Sequence, residues 1–150
     1  MKKKILTVAF AIAVSLTQAV FAGNTGGLKV DKIVLESFRK DFILTSEARW
    51  NKIGEVFVVD FKQEGIAYSA YYTEDGMLNS ISNSIEKEKL PVTVAQRINK
   101  KYGKIEITRA LKVRSLPNGI SYVIQFYAGG SEKIVKTDGD GVIETVKIIK

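Results

Sequence analysis

The stretch EVFVVDFKQEG, Glu55 to Gly65, alternates large apolar side chains with others along its length. Such a period of two is the mark of a strand with two different faces. Phe57, Val59 and Phe61 fall on one face; Val56, Val58, Asp60 and Lys62 fall on the other. A Gly closes the run, as a tight hairpin demands. The pattern returns 65 residues later in ISYVIQFYAGG, Ile120 to Gly130, where Tyr122, Ile124 and Phe126 share a face. Two copies of one strand–turn unit point to a duplicated architecture.

The offset holds downstream. Asp75-Gly76 in TEDGMLNSI matches Asp140-Gly141 in DGDGVIETV, and Met77-Leu78 matches Val142-Ile143. Asp-Gly between strand-like runs predicts a type I′ hairpin, which needs positive φ at both central residues. Upstream, Val34, Phe38 and Phe42 recur every fourth residue, as do Val94, Ile98 and Tyr102. This spacing lays an apolar stripe on one side of a helix. Pro91 suits a first turn and Gly103 a helix stop. The helices are offset by 60 rather than 65 residues, and SLPNG, Ser115 to Gly119, reads as the longer turn that makes up the difference.

Strands are expected near residues 48–53, 56–62, 66–73 and 77–82, then 106–114, 120–127, 132–136 and 142–149. The resulting layout is residues 23–29 as a flexible start, 30–85 as a first α+β repeat and 86–150 as a second. One four-stranded sheet with one helix encloses little interior. The expected fold is therefore α+β: two repeats sharing one continuous curved antiparallel sheet, with helices on one face.

TDGDGVIE, Thr137 to Glu144, invites comparison with a calcium loop. An EF-hand starting at Lys136 needs an acid at its first position and a bidentate Glu at its twelfth. Lys136 and Lys147 stand there instead, and β-type runs flank the segment. It reads as a hairpin turn, with no metal ligand set.

At the other end, MKKKILTVAFAIAVSLTQAVFAG has a triple-Lys start, an apolar run from Ile5 and small residues before Gly23. Residues 1–22 are expected to be a cleaved signal peptide. The run is too short, and too diluted by Ser15, Thr17 and Gln18, for a membrane span of roughly 20 residues. Removal of the signal lowers the net charge from +7 to +4. Without Cys, an exported chain has neither disulfides nor a lipid attachment site, so burial alone must stabilise it. RINKKYGK, Arg97 to Lys104, is too short for the basic stripe a nucleic-acid binder needs and reads as a solvated helix face.

Taken together, the helix spacing Val34…Phe38…Phe42, Ala48-x-Trp50, FVVDFKQEGIAYSAYYTEDGML, LPVTVAQRINKKY, ISYVIQF and DGDGVI resemble the PepSY-like, β-lactamase-inhibitor-like (BLIP-like) exported domains of bacteria. The resemblance runs from Val30 to Lys150. The family often places Pro after the last aromatic residue of each helix, where Ile43 and Gly103 stand here. The resemblance implies a tandem α+β repeat with a curved sheet. β-Lactamase inhibition is only an analogy of shape.

Catalysis finds little support. The chain has no His and no Cys, and no nucleophile elbow, P-loop or dinucleotide fingerprint. Glu86/Glu88 and Asp138/Asp140 lie in a polar linker and a turn, where nothing separates their acidities. No cofactor is expected. If Phe57, Val59 and Phe61 face the helices, the uncovered face carries Val58, Ser69 and Tyr71, and in the second copy Gln125 and Tyr127. Those five are the candidate binding residues. Trp50 is assigned to the core beneath the first helix, with an exposed binding anchor as the alternative. The expected function is a periplasmic or secreted non-catalytic module that binds another envelope protein through this face, with no nucleic-acid partner and no membrane insertion. The alternative is a small-ligand carrier or envelope stress factor with a pocket between helix and sheet.

Overall fold

The computed structural model describes residues 28–116 and 118–149. The expected signal peptide and most of the expected flexible start lie outside the described residues. Two helices, α1 (Lys32–Asp41) and α2 (Val92–Tyr102), accompany eight antiparallel strands: β1 (Ser46–Ile53), β2 (Val56–Gln63), β3 (Ile66–Thr73), β4 (Leu78–Ile85), β5 (Glu106–Ser115), β6 (Gly119–Ala128), β7 (Ser131–Asp138) and β8 (Ile143–Ile149). The class is α+β, and the hydrogen-bonded strand order follows the chain, β1 to β8. The chain divides within β4 into two compact units, the first ending at Asn83 and the second beginning at Ser84.

In the first unit, α1 lays Val34 and Phe38 onto the β2–β4 side that carries Phe57, Val59, Phe61, Ala70 and Tyr72. Phe38 is the hub. Its ring lies 5.4 Å from Trp50, 5.2 Å from Phe61 and 5.5 Å from Phe42, with the first two edge-on. Edge-to-face pairs add a directional attraction to the area they bury. Trp50, half-buried, thus packs against this core beneath α1, as expected. Arg39 and Lys40 occupy the last turn of α1, where cations complement the helix dipole.

Tyr72 ties this core to the end of α1, its hydroxyl donating to Asp41 Oδ2 at 2.9 Å. Burial, then the Asp41 hydrogen bond and charge, hold the Tyr72 phenol far above the usual tyrosine range. An unfolded tyrosine ionises near pH ~10. The folded state therefore keeps its proton longer, and the stability this group contributes is complete below that pH and falls as pH rises past it. Tyr72→Phe is expected to lower stability by about 1–2 kcal/mol at neutral pH. It should also flatten the alkaline fall in Tm above pH ~10. Melting curves from neutral to strongly alkaline pH check both.

In the second unit, Val94 and Ile98 of α2 pack on Ala110, Tyr122, Ile124, Phe126 and Val135, with Leu90 closing one end. Tyr102 leans on Phe126 at 5.1 Å. Pro91 stands at the N-cap, one place before the first helical residue, rather than in the first turn. Its carbonyl accepts from Ala95 N at 3.0 Å, and Gly103 ends the helix at φ 76°. β4 also runs on to Ile85, beyond the strand end expected near residue 82.

Two kinds of turn occur in both units. Glu64-Gly65 and Gly129-Gly130 have positive φ at both central residues, the type I′ hallmark. They fix the registers Phe61↔Tyr68 and Tyr127↔Glu132. The Asp-Gly hairpins are different. Gly76 and Gly141 have positive φ, but Asp75 and Asp140 do not, so the expected type I′ turn is corrected. Each is a longer loop whose Gly follows an i→i+3 bond: Gly76 N to Thr73 O at 2.9 Å, and Gly141 N to Asp138 O at 3.2 Å. Such loops use a residue in the left-handed region to rejoin the strand. A side-chain oxygen secures each one: Met77 N donates to Thr73 Oγ1 at 3.1 Å, and Val142 N to Asp138 Oδ1 at 2.9 Å.

Candidate functional site

The face turned away from the helix in the first unit is built by register. Val58 pairs with Tyr71, and Tyr71 with Ser80; Asp60 pairs with Ser69, and Ser69 with Ser82. Val56, Val58, Tyr71, Ser80 and Ser82 are buried, yet the apolar residues among them belong to neither helix-side core. Tyr71 Oη lies 3.5 Å from Ser82 Oγ. Ser69 donates to Asp60, while Ser80 Oγ has no partner among the described residues.

The corresponding face of the second unit has a similar grain. Leu111, Val113, Val123 and Ile134 are buried outside the helix-side core. Towards the end of β6 the chemistry turns polar. Gln125 pairs with Arg109 on one side and Ile134 on the other, and its Nε2 donates to Glu132 Oε1 at 2.6 Å. Tyr127, paired with Glu106 and Glu132, is 49% exposed.

The five candidates therefore separate. Val58 and Tyr71, expected on an uncovered face, are 4% and 1% exposed, which corrects that expectation. By register, mid-strand Val58, Tyr71 and Ser80 sit side by side in one row of apolar and hydroxyl groups. Ser69 and Gln125 are half-buried, and Tyr127 is open. In the second unit Tyr127 is the open candidate on this face, with half-buried Gln125 and Glu132 beside it.

Two features escaped sequence reasoning. One is the unpartnered hydroxyl of buried Ser80, on the face away from the helix, with Thr137 Oγ1 in the same condition opposite Tyr122. The other is the carboxamide–carboxylate contact Gln125–Glu132. The rule that set the Glu64-Gly65 hairpin, applied to Gly129-Gly130, pairs Tyr127 with Glu132 and so makes Gln125 and Glu132 diagonal neighbours on one face, because both are two-residue loops.

The TDGDGVIE segment is the β7–β8 turn, and Asp138 Oδ1 is occupied by the backbone N–H groups of Asp140 and Val142. Among the described residues no group of three His, Cys, Asp or Glu side chains could hold a metal ion. None of the helices among them is long and apolar enough to cross a membrane.

The chain matches no family model and no curated protein sequence. Its fold is shared by solved structures. A BLIP-like protein from Bacteroides fragilis superposes with a TM-score of 0.67 at 15% identity, over 83% of this chain and 89% of that one. A DUF2874 family protein from Bacteroides uniformis gives a TM-score of 0.70 at 10% identity, over 80% and 88%. A candidate periplasmic protein from Bacteroides eggerthii gives 0.69 at 13% identity, over 81% and 88%. At these identities the likeness is one of fold, and it is the β-lactamase-inhibitor-like fold expected from the sequence.

Proposed function

We propose that this chain is an exported, non-catalytic binding module of the bacterial envelope, whose partner is another envelope or secreted protein. The carrying observation is the sheet side of the second unit that faces away from α2: Leu111, Val113, Val123 and Ile134 are buried there outside the helix-side core, while Tyr127, on the same strand as Val123, is 49% exposed. Its accessible border mixes an aromatic ring with hydrogen-bonding groups, Tyr127, Gln125 and Glu132, the composition of a protein contact. The signal-like residues 1–22 and the periplasmic description of one structural neighbour support the location. The BLIP-like neighbour supports a binding rather than a catalytic role.

The two units read as a duplication. Thr73, Gly76 and Met77 have counterparts 65 residues on in Asp138, Gly141 and Val142, with the same loop hydrogen bonds. On this reading residues 30–85 and 86–150 are the repeats, residues 1–22 the signal and 23–29 a flexible start.

The test is a Gln125→Ala, Tyr127→Ala double variant. Capture of the native partner from the exporting cell is expected to fall by about tenfold or more, the loss of a contact worth at least ~1.4 kcal/mol. Its Tm should stay within a few degrees of the parent, because surface changes carry small effects. Undiminished capture overturns the proposal.

A further inference from the structure

We infer that the outer side of α2, with Arg97, Lys100, Lys101 and Lys104, is a second docking surface, made for an acidic segment of a protein. The inference stands apart from the binding face described above.

Charge is divided unevenly along the chain. Residues 28–83 carry seven basic and nine acidic side chains, and residues 84–150 carry thirteen and seven. The excess gathers between Arg97 and Arg114, where seven basic residues meet one acid, Glu106. The helix itself, VTVAQRINKKY, holds no acid at all. By contrast α1, KIVLESFRKD, balances its cations with Glu36 and Asp41.

The structure adds what the sequence reading of a solvated face lacked. Ion pairs among the described residues join Lys32–Glu36, Lys52–Glu74, Lys62–Glu47, Lys87–Glu88 and Lys89–Glu86. None involves the four cations of α2 and its exit. All four are exposed, and Arg97, Lys100 and Lys101 are neighbours at i, i+3 and i+4 on the helix surface. Like charges so placed repel one another. The helix dipole accounts for Lys100 and Lys101 in the last turn; the Arg97 stem lies along the Gly141 hairpin and the Lys101 ammonium lies 5.3 Å from the Tyr102 ring, contacts that leave their charges without an acidic partner among the described residues.

The class of occupant follows from the rest of the helix. A helix that lies on a membrane keeps an apolar face free to enter the lipid. Here Val94 and Ile98 are spent on the unit's own core, and Thr93, Gln96 and Asn99 stand among the cations. Carboxylates paired with these cations and hydrogen-bonded by the neighbouring amides suit that pattern.

The experiment uses the protein purified from exporting cells and a labelled peptide of alternating Glu and Ser, with fluorescence anisotropy as the readout. Binding at about 50 mM salt should weaken at least about tenfold at 0.5 M, where screening reaches below 10 Å. Arg97→Gln, Lys100→Gln, Lys101→Gln and Lys104→Gln combined should weaken it at least about tenfold. An equal loss of charge in the first unit (Lys29→Gln, Lys32→Gln, Arg39→Gln and Lys40→Gln) should change it less than about twofold, since that charge lies outside the contact. If the first set perturbs the circular dichroism spectrum, Lys101→Glu alone replaces it, with a loss of at least about threefold expected. Equal losses from both sets, no binding at low salt, or tighter binding to anionic-lipid vesicles than to the peptide overturns the inference.

Discussion

Phe38→Ala is expected to destabilise the first unit by about 3–5 kcal/mol, the range for emptying an aromatic site in a packed core. The side chain is 6% exposed and its ring meets those of Phe42, Trp50, Phe61 and Tyr72. Removal takes away the burial and leaves four rings without the surface they were packed against. Domains of this size hold roughly 5–15 kcal/mol in total, so the loss is a large share. Denaturant unfolding followed by Trp50 fluorescence reads it directly. Ile98 holds the matching place on α2 but packs no comparable ring cluster. Ile98→Ala should therefore cost less, about 2–4 kcal/mol.

The second large effect is set by contact as well as conformation. Gly76→Ala and Gly141→Ala are each expected to cost about 2–4 kcal/mol, against about 1–2 kcal/mol for Gly65→Ala. All three glycines have φ near 80°, so the left-handed penalty is common to them. Their surroundings differ. A Cβ on Gly65 meets nothing within 4 Å. On Gly76 it comes to 2.9 Å from Ser37 Oγ and 3.1 Å from the Ile33 carbonyl; on Gly141, to 2.8 Å from Arg97 Cδ and 3.1 Å from the Thr93 carbonyl. Side chains can swing aside, whereas the helix carbonyls cannot move alone. Each Asp-Gly hairpin is thus seated on the first turns of its own unit's helix. Thermal unfolding of the three variants side by side checks the ordering, and equal losses at Gly65 and Gly76 would show that the hairpin–helix contact is unimportant.

Much of this fold was written in alternation and spacing. Phe57, Val59 and Phe61 were assigned to the helix side from period two, and the Gly that closes their run does end a tight hairpin, at Glu64-Gly65. Those inferences rest on local geometry, which a sequence specifies strongly. The Asp-Gly loops were misread because their shape is set by tertiary contact: Gly76 and Gly141 must be bare to let a helix carbonyl approach. The candidate site was legible only in part. Period two put Val58 and Tyr71 together away from α1, but alternation reports which face a residue takes and not how closed that face is. Gln125 and Tyr127, near the end of β6, kept the accessibility expected of them to different degrees.

The face that carries Tyr127 is the centre of the functional account, and a photocrosslinking residue tests it where it stands. Placed at Tyr127 in the exporting cell, it should trap one discrete protein partner; placed at Glu36, exposed on α1, it should not. The same adduct from both positions, or an adduct from Glu36 and none from Tyr127, contradicts the account.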